Sequence, residues 1–136
     1  MLKTKLIHPQ IMAVLAKCGH GSKVLIADGN YPLEEKTGNA QKVFLGLARN
    51  LPTVTDVLEA ILDVVNIEKA EVMVPADGST PEIFEEFTHL LGGMELEKLS
   101  RYEFYDACME KDAVILAIST GEQRVYANVL LTVAVA

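Results

Sequence analysis

The sequence predicts an α/β fold in which helices cover both faces of a mostly parallel sheet. Segments with helical apolar spacing alternate with short β-rich segments along the chain. Residues 23–27 form a continuous apolar run, which is typical of a strand buried on both faces. Half of the 136 residues are hydrophobic, enough for a substantial core in a domain of ordinary size. These three observations together indicate the fold class.

The first third of the chain predicts a helix, a buried strand and a turn. Apolar residues recur at helical spacing over residues 9–17, and Pro9 suits the first turn of such a helix. Gly19 supplies the left-handed residue that ends it. The strand over residues 23–27 then runs into Asp-Gly-Asn at residues 28–30, a sequence typical of a tight turn.

The later segments continue the alternation. A helix begins after Thr53, whose hydroxyl suits an N-cap, and its apolar residues extend to Val65. The other predicted elements are a loop over residues 34–40, strands over 42–47, 71–74 and 95–99, a loop over 75–79, helices over 81–91 and 101–109, and β-rich segments over 113–118 and 125–135. No repeat, low-complexity tract or linker interrupts this order, so we expect one domain spanning residues 1–136.

Charge and hydropathy exclude several classes of partner. Twelve basic and 19 acidic residues give a formal net charge of −7, which disfavours nucleic acid and anionic membranes because both require a basic face. No apolar run approaches the ~20 residues needed to span a bilayer, and the N-terminus has no secretory apolar region. We therefore expect a cytoplasmic protein with no membrane partner. A neutral or cationic small molecule suits the charge.

The cysteine pattern argues against a disulfide framework and against metal. Cys18 and Cys108 are the only cysteines, and a cytosolic setting would keep both reduced. A metal site from these two residues and His20 is disfavoured because Cys-x-His is not a usual zinc spacing. We expect Cys18 to be a small apolar residue on the buried face of a helix end.

Five residues form the candidate site. His20 lies between two glycines, Asp28 ends the first strand, and Tyr126 and Asn128 lie near the C-terminus, with Arg101 as a fifth candidate. An acid/base residue, a carboxylate, a phenol and an amide at strand ends can hold a polyhydroxylated ligand and move its protons. A pair two positions apart on a strand shares one face, so Tyr126 and Asn128 can point into one pocket.

Each candidate also has a purely structural interpretation. His20 can cap the preceding helix, and Asp28 can be an ordinary residue of an Asx-turn. Tyr126 can be a strand residue with its hydroxyl at the rim. Arg101 can be a solvated residue in the first turn of its helix.

Other motifs are weaker candidates for a functional site. The Thr-Gly-Glu sequence at residues 120–122 is followed by a β-rich segment instead of a helix, so it does not suit phosphate binding. No serine has the context of a nucleophile elbow. We expect His8 at a helix entrance and His89 on a polar helix face to be structural, and Glu122 to be a solvated turn residue.

The motifs resemble those of the ribose pyranase and fucose mutarotase family. The matching features are Gly19-His20-Gly21, the strand ending at Asp28, Thr120-Gly121-Glu122, and Tyr126-Ala127-Asn128. The resemblance implies a three-layer α/β/α sandwich with a Rossmann-like sheet. It also implies an isomerase that interconverts ring forms of a free monosaccharide without cofactor or metal, in large homo-oligomeric rings, commonly decamers, with sites near subunit boundaries.

The same resemblance implies a role for each candidate residue. His20 matches the catalytic acid/base of the family, and Tyr126 matches a sugar-binding tyrosine that also shares in proton transfer. Asp28 matches a sugar-binding carboxylate, and Asn128 belongs to the C-terminal sugar-binding motif. Arg101 matches a residue that binds sugar in the fucose-type branch.

The region around Arg101 favours L-fucose as the sugar. The ribose-type pattern has His in Leu-Ser-His, whereas this chain has Leu99-Ser100-Arg101 followed by an aromatic-rich helix. Asn30-Tyr31-Pro32 also resembles the fucose type. We therefore expect an L-fucose mutarotase, with a D-ribose pyranase as the alternative. A non-catalytic sugar-binding module associated with transport is the rival class.

Overall fold

A six-stranded sheet forms the centre of the computed structural model, which describes residues 1–136. In chain order the elements are α1 (Pro9–Leu15), β1 (Lys23–Ala27), β2 (Gln41–Phe44), α2 (Val54–Leu62), β3 (Ile67–Met73), α3 (Ile83–Leu90), β4 (Glu97–Leu99), α4 (Arg101–Met109), β5 (Val114–Ser119) and β6 (Val129–Val133). The strand order across the sheet is β2-β5-β1-β6-β3-β4.

Five of the six strands run in the same direction. β5 pairs in parallel with both β1 and β2, and β3 pairs in parallel with β4. β6 lies between β1 and β3 and is antiparallel to both. The predicted mostly parallel sheet is confirmed, and β6 is its one reversed strand.

The sheet has an apolar layer on each face, which confirms the three-layer α/β/α prediction. In β1, Val24 and Ile26 belong to the larger core, which α1, α2 and α3 cover. Leu25 and Ala27 belong to the smaller core on the opposite face. Phe104 of α4, which has no exposed surface, packs into that second core. Because both faces are covered, β1 is buried along almost its whole length, as its continuous apolar run predicts.

Three of the four helices begin at side-chain caps, whereas α3 begins at Ile83, two residues later than predicted, without one. The hydroxyls of Thr53 and Ser100 each accept a hydrogen bond from the backbone N–H three residues later. The acidic side chain at that later position accepts one from the N-cap backbone N–H, so α2 and α4 each begin with a capping box. His8 caps α1 through Nδ1, which confirms its predicted place at a helix entrance. None of the four helices has the length and apolar character of a membrane span; α2 and α4, the longest, have nine residues each.

All strands except β1 differ from their predicted extents, and the largest differences are in β6 and β3. The predicted strand over residues 125–135 is wrong at its start, because the chain turns over residues 125–128 before β6 begins at Val129. β3 begins at Ile67, four residues earlier than predicted. Its additional residues pair with β6, and Lys69 and Glu71 form an ion pair on the sheet face. Long-range pairing thus extends a charged segment that has little β character of its own.

The two cysteines lie on opposite faces of the sheet. Cys18 lies three residues beyond the end of α1 and packs against the larger core, half-buried. Cys108 of α4 is fully buried in the smaller core, where burial raises the pKa of its thiol to about 12. Because the sheet separates them, they do not form a common site with His20.

Candidate functional site

Four of the five predicted site residues line one cavity. Asp28, Arg101, Tyr126 and Asn128 surround a space of about 190 Å³ beside the carboxyl ends of β1 and β3. The other lining residues are Asn30, Tyr31, Met73, Tyr105 and Val125. Residues separated by about 100 positions in sequence thus meet at one edge of the sheet, where parallel strands place ligand sites.

Asp28 organises the backbone around the cavity. Its Oδ1 accepts hydrogen bonds from the backbone N–H groups of Asn30 and Tyr31, at 2.8 and 2.9 Å. Its Oδ2 accepts from the N–H of Ala127 at 3.0 Å. Burial raises the pKa of this carboxyl, against the lowering effect of these three hydrogen bonds, and the nearby charge of Glu122 adds to the rise. Asp28 is therefore the predicted Asx-turn residue and also joins the turn to the C-terminal segment.

Asn128 completes this connection and keeps a donor for a ligand. Its Oδ1 accepts a hydrogen bond from the backbone N–H of Asp28 at 2.8 Å. Its Nδ2 makes no hydrogen bond within the chain and is not sealed from solvent. The amide of Asn128 is thus oriented by the fold and has two N–H donors left for a molecule in the cavity.

Tyr126 adopts the left-handed backbone conformation, with φ of 58°. A residue with a Cβ is less stable in that region by roughly 1–2 kcal/mol, so the surrounding contacts must hold it there. Tyr126 lies before β6 and shares no sheet face with Asn128, so the predicted reason for their proximity is wrong. A turn brings them to the same cavity instead. Tyr126 also lines a second, adjoining cavity of about 650 Å³.

Arg101 is exposed, yet its position is well defined by aromatic neighbours. It is the first residue of α4, and its Nε donates to the hydroxyl of Tyr105 at 3.2 Å. Its guanidinium lies 5.5 Å from the centre of the Tyr105 ring and 5.9 Å from that of Tyr102. Arg101 is therefore both a solvated first-turn residue and a lining residue of the cavity. Sequence reasoning missed Tyr105 as a lining residue, although its i+4 spacing from Arg101 is a signal for this contact.

His20 lies at the other end of the sheet. It precedes β1, whereas Asp28 follows it, and five strand residues at ~3.3 Å each separate the two by roughly 16 Å. The imidazole does not cap α1; its Nε2 lies 2.9 Å from Oε2 of Glu68, and the side chain is 59% exposed. Within one chain, His20 is therefore remote from the cavity that holds the other four residues.

The prediction for Glu122 is wrong. Its side chain is 1% exposed instead of solvated, and Arg124 donates to both of its carboxylate oxygens. Burial by itself raises the pKa of Glu122, but the hydrogen bonds and the positive charge of Arg124 outweigh it and hold the pKa below its usual value. Arg124, two residues along the chain, compensates the buried charge, a contact that the Thr120-Gly121-Glu122 sequence does not by itself indicate.

Comparisons with known proteins extend this description. The sequence model of the RbsD / FucU transport protein family matches residues 1–136. The D-ribose pyranase of Coprothermobacter proteolyticus is 30% identical over 131 residues, which cover 96% of this chain and 95% of that protein. The D-ribose pyranase of Chloroflexus aggregans is 29% identical over 135 residues, covering 99% and 98%.

Solved structures show the same fold. RbsD of Bacillus subtilis, complexed with D-ribose, superposes with a TM-score of 0.84 at 27% identity, covering 100% of this chain and 99% of that one. FucU of Bifidobacterium longum superposes with a TM-score of 0.81 at 29% identity, covering 96% and 95%. The fucose mutarotase of Streptococcus pneumoniae, in complex with L-fucose, has a TM-score of 0.84 at 22% identity over 100% and 99% of the chains, a likeness of fold. The chain therefore belongs to the RbsD/FucU family of sugar pyranases and mutarotases.

Proposed function

We propose that this protein interconverts the ring forms of a free monosaccharide and that D-ribose is the leading substrate. The observation that carries the proposal is the cavity lined by Asp28, Tyr126 and Asn128, in a chain whose curated relatives are named D-ribose pyranases. These relatives support D-ribose better than the L-fucose preference inferred from the sequence around Arg101. The cavity volume of about 190 Å³ suits a single sugar ring.

The reaction requires only proton transfers. A base removes the proton of the anomeric hydroxyl while an acid protonates the ring oxygen, and the ring C–O bond breaks to give the open-chain aldehyde. Closure reverses these steps, either on the other face of the carbonyl or through a different hydroxyl. No electron leaves or enters the sugar, so the chemistry needs no redox cofactor. A positioned acid/base pair accelerates such a step by roughly 10²–10⁴-fold.

The side chains divide into two roles. His20 serves as the acid/base, because an imidazole both accepts and donates a proton near neutral pH. The hydroxyl of Tyr126, or a water that it holds, serves as the counterpart. Asn128 donates to sugar hydroxyls through Nδ2, and Arg101 donates through its guanidinium at the exposed side of the cavity. Asp28 keeps the turn and the C-terminal segment in register around the sugar.

A second copy of the chain supplies His20. The support for this is the separation of roughly 16 Å within one chain, since proton transfer requires hydrogen-bond distance. His20 is exposed and therefore accessible to a neighbouring subunit. A closed ring of identical subunits, with a decamer as the expected size, gives every cavity one such histidine.

L-Fucose is the second candidate substrate, and Arg101 favours it. The guanidinium of Arg101 is held against Tyr105 beside the cavity, where it presents several N–H donors to a sugar hydroxyl. Met73 and Val125 add apolar lining that suits the methyl group of a 6-deoxy sugar.

The proposal is tested by NMR magnetisation exchange between ring forms, with D-ribose and L-fucose in parallel. We expect the protein to accelerate exchange of D-ribose, and His20→Ala to abolish most of the acceleration without unfolding the chain. His89→Ala is the matched control, because His89 is an exposed histidine on α3 away from the cavity. Acceleration of L-fucose alone would move the protein to the second candidate. Saturable binding without acceleration of either sugar would instead establish a sugar-binding module.

A further inference from the structure

An ion pair between the buried Glu122 and the half-exposed Arg124 lies within the segment that carries Tyr126. Nε of Arg124 donates to Oε1 of Glu122 at 3.0 Å, and Nη2 donates to Oε2 at 3.2 Å, so the guanidinium binds the carboxylate in a bidentate manner. The backbone N–H of Arg124 also donates to Oε1 at 3.2 Å. Glu122 is almost fully buried, and Arg124 is its only basic partner among the ion pairs of the chain.

The two residues connect the turn around Tyr126 to two other parts of the fold. The carbonyl of Glu122 accepts a hydrogen bond from the N–H of Gly29 at 2.8 Å, directly after Asp28. On the other side, Nη1 of Arg124 donates to Glu86 of α3. The segment from Glu122 to Arg124 is therefore held between the turn that follows β1 and the helix α3.

Tyr126 depends on this support more than its neighbours do. None of the hydrogen bonds outside the regular elements involves Tyr126, although its backbone is in the left-handed region. Asn128, by contrast, is held by Asp28 and directly precedes β6. Ala127 is held by the carboxylate of Asp28. Tyr126 is thus supported on its C-terminal side by the anchored Ala127 and by packing against the smaller core, and on its N-terminal side by the chain that carries Arg124 two residues away.

We propose that the Glu122–Arg124 pair, whose carboxylate is buried, positions Tyr126 at the sugar cavity. Neither residue touches the cavity that Tyr126 and Asn128 line, so the pair acts through Tyr126 and is a positioning pair. The inference rests on the proposed function for the role of Tyr126 in proton transfer. It predicts that loss of the pair lowers the rate of ring interconversion and leaves sugar affinity largely intact, because Asn128 has its own anchor.

The variants Glu122→Gln and Arg124→Lys test this prediction. Glu122→Gln keeps the shape of the side chain and removes its charge, whereas Arg124→Lys keeps the charge and removes the bidentate contact. Glu85→Gln is the control, because Glu85 is an exposed carboxylate of the same helix that forms no ion pair. We expect both test variants to reduce the exchange rate by about tenfold and to change the sugar dissociation constant by less than about threefold. Glu85→Gln should change both by less than about twofold.

A double-mutant cycle with Tyr126→Phe separates positioning from general destabilisation. If Glu122 acts through the Tyr126 hydroxyl, Glu122→Gln has almost no further effect on the rate once that hydroxyl is absent. Full additivity of the two rate losses would overturn the inference.

An NMR readout keeps the inference testable when no sugar is turned over. The chain has four tyrosines, and the ring signals of Tyr126 are assigned by their loss in Tyr126→Phe. We expect these signals to shift or broaden in Glu122→Gln and in Arg124→Lys, and to stay unchanged in Glu85→Gln. Unaltered Tyr126 signals in folded Glu122→Gln would refute the positioning role. If the wild-type protein accelerates no exchange while the signals move, the proposed function fails and the positioning role stands.

Discussion

At the scale of single residues, the polar side chains around the cavity form hydrogen bonds with the backbone. Both carboxylate oxygens of Asp28 accept hydrogen bonds from backbone N–H groups. The side-chain amide oxygen of Asn128 accepts one from the backbone N–H of Asp28. A sugar bound as proposed would meet donors and acceptors that are already oriented before it binds. Such preorganisation reduces the entropy lost on binding and favours a defined orientation of the anomeric centre.

Asp28→Asn is expected to destabilise the fold by about 1–3 kcal/mol, because the new amide nitrogen cannot accept the hydrogen bonds that one carboxylate oxygen accepts. Urea unfolding at neutral pH measures this loss. The raised pKa of Asp28 means that the native state holds its proton more tightly than the unfolded chain. Its contribution to stability therefore falls as pH rises from ~3.9, the ordinary carboxyl value, through the higher folded value. Asp28→Asn should remove this slope, and an unchanged slope would contradict the assignment.

Arg101→His is expected to change the relative rates for the two sugars. Arginine offers five N–H donors in a planar fork, whereas a shorter imidazole offers at most two, so a contact to L-fucose hydroxyls is lost first. The ratio of L-fucose to D-ribose exchange rates should fall about threefold or more, which corresponds to loss of one hydrogen bond. Arg49→His, at an exposed arginine outside the cavity, is the control. An equal ratio in both variants would remove Arg101 from substrate selection.

At the scale of secondary-structure elements, α4 carries the exposed side of the cavity. Ser100 and Glu103 define its start. The backbone N–H of Ser100 donates to Oε1 of Glu103 at 2.9 Å, and the backbone N–H of Glu103 donates to Oγ of Ser100 at 3.3 Å. Arg101 is the first helical residue and Tyr105 lies one turn later, so the cap determines where both residues lie. Phe104 between them is buried in the smaller core and fixes which side of α4 faces the sheet.

Ser100→Ala is expected to lower the free energy of unfolding by about 1 kcal/mol, as for loss of other N-cap side chains. Because the cap places Arg101, the same change should also alter the L-fucose to D-ribose rate ratio. Thr53→Ala removes the equivalent cap from α2 and serves as the matched control. It should cost a similar free energy, measured by urea unfolding, and leave the ratio as in wild type. A shifted ratio in both variants would mean that the effect is not specific to α4.

At the scale of the whole molecule, the residues of the proposed chemistry lie at opposite ends of the sheet. The cavity lies at the carboxyl ends of β1 and β3, and His20 lies at the opposite end of β1. In a ring of subunits, each active site would then combine one end of one chain with the other end of its neighbour. Assembly would be a condition for catalysis and not only for stability.

Co-expression of His20→Ala with Tyr126→Phe tests this division. Each variant alone is expected to be almost inactive. In mixed assemblies, sites that combine the intact histidine of one chain with the intact tyrosine of another should reach about a quarter of the total when the chains mix randomly. Exchange spectroscopy of the purified mixed assembly measures the recovered rate. No recovery in assemblies shown to contain both chains would place His20 and Tyr126 of a single chain in one site.

The sequence alone determined the elements whose signals are local. The continuous apolar run of β1 and the serine-capped helix α4 have the predicted bounds, residues 23–27 and 101–109, because burial period and capping act over a few neighbouring residues. The motif residues Asp28, Arg101, Tyr126 and Asn128 were likewise identified from their types and their places at element ends, and the family membership they suggested is confirmed.

Only the tertiary structure decided what depends on distant partners. The direction of β6, the left-handed turn at Tyr126 and the meeting of Asp28 with Asn128 at one cavity depend on contacts between segments far apart in the chain. A charged residue such as Glu122 reads as solvated until the partner that compensates its burial is known. The length of β1 keeps His20 and Asp28 apart, because a strand separates its two ends by its whole length, whereas only the fold shows which distant residue, Asn128, joins Asp28.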